Sequence, residues 1–195
     1  STDRKVGELS LSVVGEHNLL NALAAFTAAS ALNMAEDKLF SGLKSFTGTR
    51  RRFELKGEVS GVKVIDDYGH HPTEIIATLT AAKNLAQSGR VLVIFQPHRY
   101  SRTAAFSQQF STALSNADFT FLLEVYAASE KPIAGVSSLM IARNMSQSKV
   151  RFEPSMLEVV SDITKMAKSG DVIITLGAGD VSSLGEPILQ SLADR

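Results

Sequence analysis

The chain has no cysteine, no net charge and no apolar run of membrane length, and each absence removes a class of function. Without cysteine there is no disulfide scaffold, no thiolate metal site and no cysteine nucleophile, a composition compatible with a reducing cytoplasm. Twenty basic and twenty acidic residues cancel, so the chain has no broad electrostatic footprint for nucleic acid or an anionic lipid surface. No stretch approaches the roughly 18 apolar residues of a bilayer span. No repeat, low-complexity tract or long linker interrupts the sequence. It opens on Ser1 rather than Met, without a charged-then-apolar leader, which raises the expectation of a piece of something longer. What is present is ordinary globular material: 195 residues, 44% hydrophobic and 21% charged. That is enough for one domain with a full core, or one domain and a fragment of another.

The first fifty residues read as helical. From Glu16, Leu19, Leu23 and Phe26 recur at i, i+4, i+7 and form one apolar stripe. Alanine richness favours the helix and lets another backbone approach closely. A second short helix carries Leu39, Leu43 and Phe46 on one face, with Asp37 as the expected N-cap. Two such helices bury little alone, so their stripes are expected to pack on something else or to pair between chains.

From Lys56 the pattern becomes strand, helix, strand. Strands are expected at Val62–Ile65, Val91–Phe95, Phe119–Leu123, more weakly Val150–Phe152, and Val172–Leu176. All are short continuous apolar runs, as in strands covered on both faces. Between them lie helical stripes: Ile75, Leu79, Ala82 and Ala86; Phe106, Phe110 and Ala113; Met156, Val160, Ile163 and Ala167. The first strands start roughly 30 residues apart, the length of a βαβ unit. The fold class is therefore α/β, a Rossmann-like and mostly parallel sheet with flanking helices.

In such sheets ligands sit beyond the carboxyl ends of the strands, and three of those ends are rich in chemistry. The first is followed by DDYGHHPTE, Asp66 to Glu74, with Pro72 suited to open a helix. The second is followed by FQPHRYSRT, carrying His98, Arg99 and Arg102 into a helix N-terminus, where two cations oppose the dipole. The last is followed by the turn GAGD, Gly177 to Asp180. Plainer readings exist for each: a helix start at His71–Pro72, solvated first-turn arginines, an ordinary strand-to-helix turn. The run Arg50, Arg51, Arg52 reads most simply as an exposed basic patch, the other reading being two structural arginines with a third that reaches a phosphate. Capping explains Asn18 near a helix start; it explains Asn21, on the same face, less easily.

Taken in order, GEHNLLNALAA, the RRRF run after Gly48, DDYGHHPTE, FQPHRYSRT and LGAGD resemble the Mur ligases, specifically the muramate–alanine ligase family among them. The resemblance runs from about Val14 to Gly179. The ligases that recycle murein tripeptide are similar in the first motif after the sheet begins but depart in the second, and folylpolyglutamate synthetases share the architecture without these strings. The resemblance implies a three-domain, ATP-dependent enzyme of peptidoglycan precursor synthesis in the bacterial cytoplasm. Residues 1–53 would be the tail of the central ATPase domain and 54–195 the C-terminal domain. No G-x-x-x-x-G-K-[ST] phosphate cradle occurs, and the family's magnesium ligands lie upstream, so this part alone is expected to be inactive.

The implied reaction is amide formation through an acyl phosphate, with UDP-N-acetylmuramate, L-alanine and ATP as partners and Mg2+ required. Anionic oxygen develops in both halves, so cations and N–H groups must face it. By match to the family's motifs, Asn18 and Asn21 fall on the adenine-contacting asparagines, Arg52 on the arginine that meets ATP phosphates, and Asp67 on the aspartate that reaches ATP. His70, His71, Arg99 and Arg102, with Gly177 and Ala178, lie where the amino acid should dock. A guanidinium suits its carboxylate, and either imidazole could accept the amine's proton. Two other readings are the tripeptide-recycling ligase and a non-catalytic α/β module that binds a nucleotide or amino acid.

Overall fold

The computed structural model describes residues 7–13 and 15–195; Ser1 and Val14, where the family resemblance starts, lie outside them. The chain divides into two compact units, residues 1–49 and 50–195.

The first unit is a helical hairpin of α1 (Glu16–Ala31) and α2 (Glu36–Ser45). Helix α1 ends where Asn33 adopts a positive φ of 57°, while the amides of Asn33 and Met34 return to Ser30 and Ala29, the usual left-handed stop. Ala22 and Leu39 are buried, and Phe26 packs on Phe40 with ring centroids 5.2 Å apart. One expectation fails here. Asp37 is not the N-cap: that position is Ala35, and Asp37 lies inside the first turn with Glu36, where negative charge still suits the dipole. Leu19 and Leu23 of the α1 stripe remain 44% and 48% exposed, in keeping with a helix pair that buries little alone.

The second unit is an α/β sandwich built on β1 (Glu54–Val59), β2 (Val62–Asp67), β3 (Val91–Phe95), β4 (Phe119–Leu122), β5 (Val150–Phe152) and β6 (Val172–Leu176). Their order across the sheet is β1-β2-β6-β3-β4-β5. All pairs are parallel except β1 with β2. Helices α3 (Pro72–Ala86), α4 (Tyr100–Leu114), α5 (Leu139–Ala142), α6 (Met156–Met166) and α7 (Gly185–Ala193) flank it, with a 3-10 turn at Asp180–Leu184 before α7. The continuous apolar runs arise because both faces are covered. Val91, Val93 and Phe95 join Ile75, Leu79, Phe110 and Ile141 in one layer. Leu92 and Ile94 join Val159, Ile163 and Ile188 in the other. Helix α4 is kinked at Phe106, whose φ of −121° leaves the helical region, so this residue of the expected stripe is only partly buried.

Strand β1 was absent from the sequence reading. ELKGEV carries no apolar alternation and lies on the sheet edge. Its turn to β2 uses Ser60 and Gly61, both with positive φ, the conformation a two-residue hairpin demands. At the amino ends of the strands Arg90 grips Asp171: its backbone N–H and Nε donate to Oδ1 at 2.9 and 3.3 Å, and Nη2 to Oδ2 at 2.6 Å. The site lies at the opposite ends.

Candidate active site

Strand β6 enters the sheet between β2 and β3, so the carboxyl ends of all three open side by side. Asp66 and Asp67 end β2, Gln96 and His98 follow β3, and Gly177–Asp180 follow β6. This reversal of strand order is where open α/β sheets place ligands.

The three arginines separate sharply. Arg51 is tied inward: Nη2 donates to the carbonyls of Gly177 (2.6 Å) and Gly179 (3.1 Å). Its Nε lies 3.3 Å from Oδ2 of buried Asp66, without hydrogen-bond geometry, and its guanidinium covers the Tyr68 ring at 4.9 Å. Arg52 turns outward. Its side chain is 55% exposed, and its nearest anion is Glu74 at 3.7 Å. Arg50 is exposed. One arginine therefore holds β6 to β2, and the next offers its charge to solvent.

Asp67 is buried and fully engaged. Oδ2 accepts the Phe53 amide at 2.8 Å, and Oδ1 accepts the Gly69 amide at 2.8 Å and the Thr78 hydroxyl at 3.0 Å. Burial pushes its carboxyl above the ordinary range, partly opposed by these donors and by Arg52. The carboxylate thus fixes the Arg52–Phe53 turn against the start of α3.

The histidines differ by what their Nδ1 atoms do. His71 is the N-cap of α3 and its Nδ1 accepts the Thr73 amide at 3.3 Å. Glu74 answers by accepting the His71 amide at 3.1 Å and the His70 amide at 2.9 Å, the reciprocal capping arrangement. Burial alone would raise the Glu74 carboxyl, but the His70 amide, the His70 ring, the His71 amide and Arg52 together hold it below the ordinary range. His98 Nδ1 faces Arg102 Nη1 at 3.4 Å; a guanidinium only donates, so this nitrogen is the acceptor. Burial first, then the charges of Arg102, His70 and Arg99, lower the His98 pKa, with Glu130 opposing them. His70 is the reverse case: its Nδ1 lies 3.1 Å from the Tyr68 carbonyl. An oxygen acceptor requires Nδ1–H, so in the neutral ring the lone pair sits on Nε2.

These rings form a row within the second unit. Tyr68 meets His70 edge-on at 5.2 Å, His70 lies 5.8 Å from His98, and His98 stacks on Tyr126 at 5.6 Å and 17°. His71 points aside to Phe106 at 5.2 Å. Arg102 is half-buried beside His98, and Arg99 is exposed at the N-cap of α4. The Gly177 amide donates to the Asp67 carbonyl, and its φ of 140° with a Cβ only 2.6 Å from the Gln96 carbonyl admits glycine alone. Ala178 is half-buried beside it. Asn18 and Asn21 lie on α1 in the first unit; the N-cap there is Gly15, so Asn18 is not the cap.

Several members of this constellation carry no assigned role in the sequence. Arg51, Tyr68, Glu74 and His98 sit inside the quoted motifs, where their roles depend on which way each side chain turns. Gln96 donates to Asp180 Oδ1 at 2.7 Å and accepts the Val181 amide at 3.1 Å, closing the turn after β6. Tyr126 follows the expected strand Phe119–Leu123 and belongs to none of the quoted motifs. Among the described residues no cluster of three or more His, Asp or Glu could hold a metal ion.

Residues 51–179 match the family described as Mur ligase, glutamate ligase domain. The UDP-N-acetylmuramate–L-alanine ligase of Mycolicibacterium smegmatis is 50% identical over 184 residues, which are 93% of this chain and 38% of that protein. The crystal structure of UDP-N-acetylmuramate-alanine ligase from Thermotoga maritima superposes with a TM-score of 0.80 at 29% identity, covering 96% of this chain and 40% of that one. A murein peptide ligase from Psychrobacter arcticus gives a TM-score of 0.72 at 27% identity, covering 96% and 39%. The chain thus spans about two fifths of the length of the relatives it matches.

Proposed function

The chain belongs to the Mur ligase family, and on that premise we propose that it is the C-terminal part of an ATP-dependent ligase that joins L-alanine to UDP-N-acetylmuramate in the bacterial cytoplasm. The observation that carries the proposal is the row Arg52, Tyr68, His70, His98 and Arg102 across the ends of β2 and β3. It offers cations for anionic oxygen and one imidazole with a free lone pair. Residues 1–53 are assigned to the end of the central ATP-binding domain and 54–195 to the C-terminal domain. The rest of the central domain is the cover for the exposed face of α1; without it, that face favours self-association.

Arg99 and Arg102 bind the amino acid's carboxylate, Arg102 being oriented by His98. His70 Nε2 accepts the proton that the amine must lose before it attacks the activated muramoyl carbonyl, while the Tyr68 carbonyl holds the ring in that tautomer. His71 keeps its part in the amino acid site as the α3 cap, its Nδ1 being spent on the Thr73 amide. Gly177 and Ala178 line the same end of the sheet. Asn18 and Asn21 are assigned to the adenine.

ATP supplies the phosphoryl group that activates the muramoyl carboxylate. Arg52 fits its phosphates, being the outward and weakly paired cation. Asp67 serves by holding the Arg52–Phe53 turn, and a direct contact with ATP would use the acceptor capacity left on Oδ2, which takes only the Phe53 amide. Mg2+ belongs to residues upstream, and no step here depends on a ligand to it from this chain.

The test is phosphate release by the full-length protein with UDP-N-acetylmuramate and Mg-ATP. Release that depends on L-alanine is expected. Release only with L-alanyl-γ-D-glutamyl-diaminopimelate makes it a tripeptide ligase, and release with neither leaves a binding module. In the active protein Arg52→Ala or Asp67→Ala is expected to lower turnover by at least about a hundredfold. Arg99→Ala is expected to act mainly on the L-alanine requirement; unchanged saturation by L-alanine would remove Arg99 from the carboxylate site.

A further inference from the structure

The segment after β4 lies along the turn that carries the two clamp arginines. The Tyr126 amide donates to the Pro97 carbonyl and the Arg99 amide to the Tyr126 carbonyl, both at 2.8 Å. His98 and Tyr126 pair as in a parallel ladder, with their rings stacked. Four residues further, Glu130 reaches the first turn of α4. Its Oε2 accepts the Ser101 amide at 3.0 Å and its Oε1 accepts the Ser101 hydroxyl at 2.6 Å.

Helix α4 has no cap of its own. Its N-cap residue is Arg99, which makes no side-chain capping bond and holds a φ of 75°, a conformation costly for a branched-chain-free but bulky L residue. A helix start normally takes Ser, Thr, Asp or Asn at that position. Here the position holds a cation, and the acceptor oxygens arrive from a loop 29 residues away. The carboxylate also offsets two guanidinium charges that oppose the helix dipole. The Ser101 hydroxyl and amide, with Arg99 nearby, hold the Glu130 carboxyl below its ordinary range, so it is ionised where the site works.

We propose that Glu130 is a positioning residue of the amino acid site: it caps α4 from the neighbouring loop, which frees the N-cap position for Arg99 and fixes Arg99 and Arg102 for the substrate carboxylate. The inference rests on the ligase reading above, and the experiment separates the two. L-alanine-dependent phosphate release by the wild-type full-length protein secures the reading first; its absence would sink that reading before any variant is made.

With UDP-N-acetylmuramate and Mg-ATP saturating, Glu130→Ala is expected to raise the KM for L-alanine about tenfold, the effect of losing a helix-terminal hydrogen-bond set. Its kcat should stay within about twofold and its KM for ATP should not move. Glu130→Gln should restore most of the loss, because the amide oxygen can accept the Ser101 N–H while its NH2 donates to the Ser101 hydroxyl. If Glu130→Ala does not fold, Glu130→Asp decides: it keeps the charge but withdraws the oxygens by one methylene, and the same rise is expected. An unchanged L-alanine KM in the Ala or Asp variant overturns the proposal. So does a Gln variant as impaired as Ala, or a parallel rise in all three KM values. A Gln variant that binds L-alanine more tightly than wild type also overturns it, by making Glu130 a competitor for the clamp.

Discussion

Leu23 and Leu79 hold the same kind of place, an apolar rung on a helix, and the structure treats them oppositely. Leu79 is fully buried beneath the sheet; Leu23 is half in solvent. Both were read from the same periodicity. The second unit supplies two helix layers and a sheet for its stripes to meet, whereas the first unit supplies one neighbouring helix. Periodicity identifies a face, and burial requires a partner for it.

Substitutions can break this contrast. Leu79→Ala should cost about 3 kcal/mol, the usual cavity penalty, whereas Leu23→Ala should stay within about 0.5 kcal/mol. Chemical denaturation followed by circular dichroism checks both, and equal losses would mean the first unit has a core after all. Within the second unit, Arg51→Ala should cost about 2 kcal/mol, because two carbonyls lose their donor and buried Asp66 loses its ion-pair partner. Arg52→Ala should leave the melting temperature almost unchanged while removing activity. An Arg52→Ala protein that melts like Arg51→Ala would erase the division between the two arginines.

A smaller effect concerns acid. Asp171 is strongly buried, which alone would raise its pKa. Its bonds from Arg90 and Lys168 outweigh that and bring it below 3.8. Its stabilisation is therefore complete above pH 3.8 and lost as pH falls through the lower folded value. The stability gap between wild type and Asp171→Asn should be constant near neutrality and should shrink below about pH 3.8. A gap that keeps its neutral-pH size as pH falls well below 3.8 would rule out the ionised pair as its source. Smallest of all, Leu23→Glu should weaken self-association of this part of the chain in sedimentation experiments without touching the second unit.

Much of the second unit was legible. Val91–Phe95, Val150–Phe152 and Val172–Leu176 form strands at the expected residues, because doubly covered strands are apolar without interruption. Strand β1 was hidden because an edge strand needs no apolar alternation, and its one signal was the Ser60–Gly61 turn. Within the site, the motifs marked the right segments without fixing directions. Arg51 and Arg52 are chemically identical in the string; only Gly177, Gly179 and Asp66 converging on one of them tell them apart. His70 and His71 were equivalent until their Nδ1 partners proved to be an acceptor and a donor. Tyr126 and Glu130 act through a loop that pairs with the turn after β3, a contact that local pattern does not encode.

The insertion of β6 between β2 and β3 also governs how the domain is made. Neither of those two earlier strands has its final neighbour on that side until Val172–Leu176 exists. A ribosome must therefore translate nearly the whole domain before the sheet can close, leaving β2 and β3 with open edges on the nascent chain. Chains stalled before residue 172 should remain protease-sensitive and prone to aggregate, however complete their helices. The same central strand that brings three loop ends together for chemistry makes this domain one that completes itself last.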